Sequence, residues 1–417
     1  MAIAASGIAA RAAATWLTLV ATVIFTFMAR ALIARALGPV GIGVYALMLT
    51  AGWLGGTILS VGLPAYNASF AGRQSASVLL ANSILWNLLA LAGVSAVCVP
   101  LLLSSWLPAT WKAVTVGVLM SPLTALLECT RGILQGVGAI GAYNWLGLTA
   151  GALNFAVIEI LLLTGRLTLT GAVLCWIGST AVSVGIALAL AMSRTGGMAR
   201  GDRGVLAGSL KFGGQAWLSQ LTGIVNFRIG LLLTQVFLGT AAAGFYAIAV
   251  TVAEALFYFP NALAVVTISK YAAATHDEAI ALLKRSVAWV LAVSIGCAAA
   301  IALIGGAVIE RVFGAVYLAS MPALLILLPG VVAYTPIAVS NWYFNAHLHK
   351  PAMNLLVGLF SAVVGSVLTV LWAPRYGLPG VAWATTTGYV SATLLNVVLI
   401  QLTLLRTGAD ARPREAR

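Results

Sequence analysis

The sequence has very few charged residues. Of its 417 residues, 7% are charged and 62% are hydrophobic, whereas a typical soluble domain has about 25% charged and about 45–50% apolar residues. An ordinary soluble domain is therefore excluded. Cysteine is also scarce, since the four cysteines contain no CxxC pair and all lie in apolar runs. We expect them to be small hydrophobic residues and neither disulfide partners nor metal ligands.

Motifs for nucleotide or metal chemistry are absent or stand in the wrong context. No P-loop is present, which excludes ATP hydrolysis by this chain. Residues 136–141 read Gly-Val-Gly-Ala-Ile-Gly, but they connect two apolar runs, and no βαβ unit surrounds them. The histidines His276, His347 and His349 form an HxH pair and one distant residue, which is typical of a solvated loop. We expect neither a cofactor nor a metal ion.

Long apolar runs dominate the chain. Crossing the hydrocarbon core takes about 20 mostly apolar residues, and twelve runs of this kind are present. Their approximate bounds are 14–36, 41–65, 77–103, 113–135, 142–163, 171–193, 212–238, 241–265, 286–309, 320–345, 352–373 and 378–404. The first run is longer than the hydrophobic core of a signal peptide and lacks a cleavage site, so we expect it to be retained in the mature protein as a membrane span. The sequence predicts an all-α polytopic membrane protein.

The basic residues indicate an orientation. If the N-terminus is cytoplasmic, fifteen of the 22 Lys and Arg residues lie on the cytoplasmic side, five lie opposite, and Arg30 and Arg228 lie within spans. The positive-inside rule then predicts a multi-pass inner-membrane protein with both termini in the cytoplasm. Basic loops beside anionic lipid also account for the net charge of +13. Nucleic acid is not expected as a partner.

Two segments of the first half recur in the second half. Residues 37–46 match residues 238–247 with an offset of 201, since Gly, Gly, Tyr and Ala occupy corresponding positions. Residues 165–173 match residues 374–382 with an offset of 209. The matches occur in the same order, which predicts two homologous halves of six helices each. Because six is even, the halves have the same orientation and are related by an axis along the membrane normal.

The duplication also predicts the domain organisation. We expect an N-terminal six-helix bundle over 1–195, a basic Gly-rich cytoplasmic linker over 196–211, a C-terminal six-helix bundle over 212–405 and a basic cytoplasmic tail over 406–417. The two bundles are expected to surround a central cavity.

Four short motifs resemble one known family. They are residues 37–45 in the first half and residues 244–246, 313–317 and 374–380 in the second. Over about residues 10–405 the chain resembles the polysaccharide and O-antigen flippases (Wzx-like) of the multidrug/oligosaccharidyl-lipid/polysaccharide exporter superfamily. The resemblance implies a transporter, not an enzyme, that moves a lipid-linked oligosaccharide or polysaccharide repeat unit by alternating access. It also implies an undecaprenyl-diphosphate-type lipid-linked glycan as substrate, with membrane lipids, a polysaccharide polymerase and chain-length proteins as partners.

The charged residues inside spans are the candidate site. An arginine at the centre of a span costs roughly 2.5–3.5 kcal/mol on insertion scales, so a retained one suggests a function. Arg30 lies in the first span, and Arg228 lies in the seventh beside Asn226; these three are the expected substrate-binding residues. The resemblance implies that both helices line the cavity, where a guanidinium matches phosphate oxygens. The alternatives are that each arginine reaches a membrane face or pairs with a glutamate.

Three glutamates lie inside or at the edge of spans. Glu254 either pairs with Arg228 or binds a coupling proton or sodium ion, and Glu159 is similarly isolated. Glu128 precedes Arg131 by three residues, which predicts an ion pair on one helix face.

Two other functions are compatible with the sequence. An ion-coupled multidrug exporter with the same fold needs an acidic cavity, whereas here two arginines face isolated glutamates. A membrane polysaccharide polymerase or ligase needs a long extracytoplasmic loop with catalytic Arg or His. The loops on that side are short, and all three histidines lie on the other side.

Overall fold

The computed structural model describes residues 2–348 and 350–410, so His349 and residues 411–417 of the predicted tail lie outside it. All longer regular elements of the described residues are helices. They are α1 (Ala2–Ser60), α2 (Leu63–Phe70), α3 (Ala76–Leu103), α4 (Ala109–Leu119), α5 (Ser121–Gly136), α6 (Ile140–Leu163), α7 (Leu169–Thr195), α8 (Arg203–Leu238), α9 (Thr240–Ala253), α10 (Tyr258–Ala273), α11 (His276–Val312), α12 (Met321–Tyr334), α13 (Ile337–Trp342) and α14 (Ala352–Asp410).

The predicted number of spans is confirmed. Within the described residues, ten helical segments are long and apolar enough to cross a membrane. Two of these, Leu17–Ser60 and Ala352–Leu405, contain a non-helical residue, Gly38 and Gly377 respectively, that divides each into two spans. The protein is therefore all-α with twelve spans, in which each helix satisfies its own backbone hydrogen bonds within lipid.

The chain folds into two compact units. Unit 1 contains the residues up to Ile224 together with Thr240–Gly244 and Val312–Gly314, and unit 2 contains the other described residues. The boundary between the two units falls within α8, between Ile224 and Val225. In unit 1 the core joins α2, α3, α5, α6 and α7 through side chains that include Leu80, Ile133 and Leu146. In unit 2 a second core joins α10, α11 and α13.

Part of the predicted linker is helical. The Asp202 carboxylate accepts hydrogen bonds from the backbone N–H groups of Gly204 (2.7 Å) and Val205 (3.0 Å), which caps the start of α8. The buried Asn82 side chain of α3 donates to the Asp202 carbonyl (2.9 Å) and accepts from the Asp202 N–H (3.0 Å). Residues 203–211 of the expected linker over 196–211 are therefore the first turns of α8.

Two glycines related by the duplication have the same unusual backbone conformation. Gly38 has φ 67° and ψ −173°, and Gly239 has φ 84° and ψ 179°. This region of φ and ψ is accessible almost only to glycine. The offset of 201 between them agrees with the predicted repeat.

A strained turn separates α1 from α2. Val61 has φ 43°, in the left-handed region that a β-branched residue rarely adopts. Gly62 follows with φ 79°, and its backbone lies against that of Gly213 in α8. The turn is therefore held in place by close packing within unit 1.

Candidate functional site

Unit 1 contains a cavity of about 460 Å³. Its walls come from α1, α2, α5, α6, α7 and α8. Ligand pockets in proteins commonly have volumes of roughly 300–1,000 Å³. The cavity is therefore large enough for the head group of an amphipathic molecule.

Three charged side chains are among the described residues that line this cavity: Arg30, Glu128 and Arg131. The structure thus places Arg30, predicted as a substrate-binding residue, in the wall of a cavity. The ion pair expected between Glu128 and Arg131 is present, with 2.8 Å between Oε1 and Nη1. The Arg131 guanidinium also lies over the Tyr143 ring, 4.7 Å from its centroid. Because there are two cations and one carboxylate, the lining carries an excess of positive charge.

Aromatic and polar side chains complete the cavity. Tyr45 and Trp176 are buried, whereas Trp53 is partly exposed. The Tyr45 hydroxyl lies near Arg30 and the side chain of Asn154. The wall therefore combines apolar rings with a few hydrogen-bonding groups, as ligand sites generally do. These residues were not among the predicted site residues, which were charged side chains in spans together with Asn226.

In unit 2, Arg228 and Glu254 form a two-pronged ion pair. Nη1 of Arg228 lies 3.0 Å from Oε1 and 3.2 Å from Oε2 of Glu254, and Nη2 lies 3.3 Å from Oε2. Each side chain is 21% exposed. Glu254 begins a short 3-10 turn that follows α9, which directs the carboxylate toward α8. The structure thus has the pairing that the sequence left as one of two alternatives.

Asn226 belongs to an aromatic cluster in unit 2. Its amide donates to the Tyr334 hydroxyl at 3.3 Å, and the rings of Tyr334 and Tyr389 lie 4.7 Å apart. Asn226, Tyr389 and Glu254 also line a pocket of about 10 Å³. This volume is roughly that of one water molecule, so the pocket cannot hold a substrate head group.

Glu159, the other predicted coupling residue, is exposed on the surface of α6 and lines neither cavity. Coupling roles for Glu254 and Glu159 stay predictions.

The described residues contain no cluster of three or more His, Cys, Asp and Glu side chains that suits a metal ion. The rings of His276 and His347 are stacked, with centroids 5.9 Å apart and an interplanar angle of 23°. Stacked rings face each other through their π surfaces, whereas their nitrogen lone pairs lie in the ring planes. The two nitrogens therefore do not converge on one ion.

Comparison with protein-family models and with characterised protein sequences gives no match. Solved structures do match over almost the whole chain. A multidrug resistance MATE family transporter of the MOP superfamily in its inward-facing conformation matches with a TM-score of 0.78 and 16% identity, over 93% of this chain and 96% of that chain. An outward-facing structure of such a transporter matches with a TM-score of 0.64 and 16% identity, over 95% of each chain.

A third match is a MOP superfamily transporter from Pyrococcus furiosus, described as having a binding pocket of reverse polarity that suggests a different function. It has a TM-score of 0.56 and 14% identity, over 93% of this chain and 96% of that chain. At such low identity the matches establish the fold, which is the twelve-helix fold of MATE transporters. The proteins that share it in these comparisons are described as transporters and not as enzymes.

Proposed function

We propose that this protein moves an amphipathic molecule with an anionic head group across the inner membrane by alternating access. The observation that carries this proposal is the unit 1 cavity, in which Arg30 and Arg131 outnumber the single carboxylate of Glu128. An excess of positive charge in the cavity lining favours an anionic ligand and disfavours a cation. The fold supports the transport part of the proposal, because matching structures have inward-facing and outward-facing forms.

The substrate class that fits best is a lipid-linked glycan on a diphosphate, such as an undecaprenyl-diphosphate oligosaccharide. A guanidinium presents a planar fork of donors that matches phosphate oxygens and stays charged at any physiological pH. Arg228 is a weaker candidate than Arg30, because it does not line the unit 1 cavity and Glu254 accepts its hydrogen bonds. Cytoplasmic termini and partnership with a polysaccharide polymerase and chain-length proteins belong to the same proposal.

Multidrug export is a second candidate, and the matching structures favour it because several are multidrug transporters. The aromatic lining also suits an amphipathic cation, since Tyr45, Trp53 and Trp176 present ring faces that attract positive charge. The two candidates differ in the sign of the head-group charge, which provides a direct test.

The test uses purified protein in liposomes. One assay follows flipping of a fluorescent polyprenyl-diphosphate sugar with a membrane-impermeant quencher, and the other follows efflux of ethidium, an aromatic cation. We expect diphosphate flipping, and we expect Arg30→Ala to slow it by about tenfold or more because a charge-assisted hydrogen bond is lost. Arg30→Lys should restore only part of the rate.

Arg35→Ala is the matched control, because Arg35 lies on the same helix but is exposed and does not line the cavity. Its flipping rate should equal that of the unmodified protein. Ethidium efflux without diphosphate flipping would establish the second candidate. Diphosphate flipping that is unaffected by Arg30→Ala would remove Arg30 from the site.

A further inference from the structure

One edge of the Arg131 guanidinium carries a donor, Nε, that is unpaired in the part of the chain that the structure describes. Its Nη1 donates to Glu128 at 2.8 Å, whereas its Nε is buried and has no hydrogen-bond partner among the described residues. A buried donor left unpaired costs free energy, and the cost is larger for a charged group. This edge therefore gains from an acceptor that the protein does not itself supply.

The cavity wall leaves room beside the Nη2 end of this edge. A Cβ atom at Gly147 of α6 would lie 3.6 Å from Nη2 of Arg131 and 3.7 Å from Oγ1 of Thr22. Because position 147 is glycine, that space is free. Tyr143 packs against the face of the guanidinium at 4.7 Å from the ring centroid, which fixes the plane of the fork. Thr22, Gly147 and Arg131 all line the unit 1 cavity.

We propose that Arg131 binds a phosphate or diphosphate oxyanion side-on, through Nε and Nη2, while Glu128 stays on Nη1 as a resident counter-ion. Nε and Nη2 form the bidentate edge of a guanidinium, whose spacing matches two oxygens of one phosphate. The inference rests on the proposed function, since it names a binding residue and a tuning residue for the same cavity.

Glu128 has a specific role in this arrangement. Its carboxylate neutralises part of the Arg131 charge and so weakens the attraction for a second anion. The Glu128 side chain is 49% exposed, so its effect is screened and moderate. A transporter must release its substrate on the far side, and a counter-ion that lowers affinity makes release faster.

The experiment is calorimetric titration of the purified full-length protein with inorganic pyrophosphate, with farnesyl diphosphate and with farnesol. Arg131→Lys should weaken pyrophosphate binding by about tenfold, because lysine offers a point charge in place of a planar fork. Glu128→Gln should strengthen it by about two- to fivefold, in keeping with a partly exposed ion pair. Gly147→Ala should weaken it, because the new methyl group fills the space beside Nη2.

Two controls isolate the local effect. Glu310→Gln removes the same charge from the exposed surface of α11, and Gly141→Ala adds the same methyl group on α6 where nothing lies within 4 Å. Neither should change pyrophosphate affinity. Thermal unfolding in detergent checks that each variant is folded. If Arg131→Lys proves unfolded, the other two variants test the inference. Glu128→Gln should strengthen pyrophosphate binding, and Gly147→Ala should weaken it.

The inference is overturned if pyrophosphate affinity is unchanged in Arg131→Lys or Gly147→Ala, or if Glu128→Gln weakens binding. Tighter binding of farnesyl diphosphate than of pyrophosphate identifies a lipid head group as the ligand, and equal affinities identify a free phosphate compound. Pyrophosphate binding that depends on Arg131, without flipping of any diphosphate lipid, keeps this inference and rejects the proposed function. Flipping of a diphosphate lipid that is insensitive to Arg131→Lys rejects this inference and keeps the proposed function.

Discussion

Gly43 and Gly244 make equivalent close contacts, because each lies against a backbone carbonyl group of the segment that contains the other. A Cβ atom added to Gly43 would overlap the carbonyl oxygen of Thr240, and one added to Gly244 would overlap the carbonyl oxygen of Pro39. The offset of 201 that relates Gly43 to Gly244 also relates Pro39 to Thr240. The contact is therefore reciprocal between the two repeats, as expected where an axis of approximate two-fold symmetry passes between two helices.

We expect Gly43→Ala and Gly244→Ala each to lower the free energy of unfolding by about 1–3 kcal/mol, because the obstructing atoms are backbone and cannot rotate away. Thermal unfolding in detergent measures the effect. Gly178→Ala is the control, since Gly178 is exposed in α7 with nothing within 4 Å of its Cβ position. That change should leave stability equal or slightly higher. Equal melting temperatures for all three variants would contradict the close contact.

The turn between α1 and α2 predicts a stabilising substitution. Val61 has a φ of 43°, and a side chain in such a region costs about 1–3 kcal/mol. Val61→Gly removes that cost and adds a smaller entropic one, so we expect the free energy of unfolding to rise by about 1 kcal/mol. Val61→Ala retains a Cβ atom and should gain less. A melting temperature of Val61→Gly below that of the unmodified protein would show that the packing of the valine outweighs its strain.

The pair of Arg228 and Glu254 predicts non-additive effects. Arg228→Ala or Glu254→Gln alone leaves the other group without its partner, so each should reduce transport and stability by more than the loss of one exposed ion pair. The double variant should be milder than the sum of the two. A double-mutant cycle on melting temperature and transport rate measures the coupling. Additive effects would mean that the pair contributes nothing as a unit.

A coupling role for Glu254 makes a separate prediction. If its carboxylate exchanges a proton or sodium ion, Glu254→Gln should leave passive equilibration intact and make the rate insensitive to an imposed ion gradient. A membrane potential supplies about 2.3 kcal/mol per charge at 100 mV, which is enough to bias transport. Gradient dependence that survives in Glu254→Gln rules the coupling role out, and pairing with Arg228 is then sufficient to explain the residue.

The distribution of basic residues predicts the topology. The test uses single cysteine substitutions in a Cys297→Ser background, since Cys297 is itself exposed. Arg166→Cys and Tyr376→Cys should react with a membrane-impermeant thiol reagent from outside the cell, whereas Arg73→Cys and Met198→Cys should not. All four positions are exposed, so accessibility within the protein does not limit the reaction. Reversed labelling would overturn the orientation, and mixed labelling would overturn the number of spans.

The spans were predictable because each depends on a local property, the length of an apolar run. The candidate site was only partly predictable. Arg30 and the pair of Glu128 and Arg131 were identified because charge is rare in spans, but their place in one cavity depends on packing between α1 and α5. Trp53 and Trp176 carried no signal, since a tryptophan in a cavity and one at a membrane surface look alike in sequence.

The helical start of α8, within the segment 196–211, was not predictable for a related reason. Its Gly-rich, basic composition is typical of a flexible segment, whereas its ordering comes from Asn82, more than a hundred residues earlier in the chain. A hydrogen bond of such long range has no signature in local composition. The strained φ of Val61 was equally invisible, because valine is ordinary in a membrane helix.

The kinks at Gly38 and Gly239 restrict which amino acids these two positions tolerate. Every amino acid that a single-base change can substitute for glycine carries a Cβ atom, and the backbone region these two residues occupy excludes one. Nothing lies within 4 Å of either Cβ position, so the intolerance comes from backbone conformation and not from crowding. Two codons in open surroundings are thus constrained by backbone conformation alone, one in each of the two matching segments.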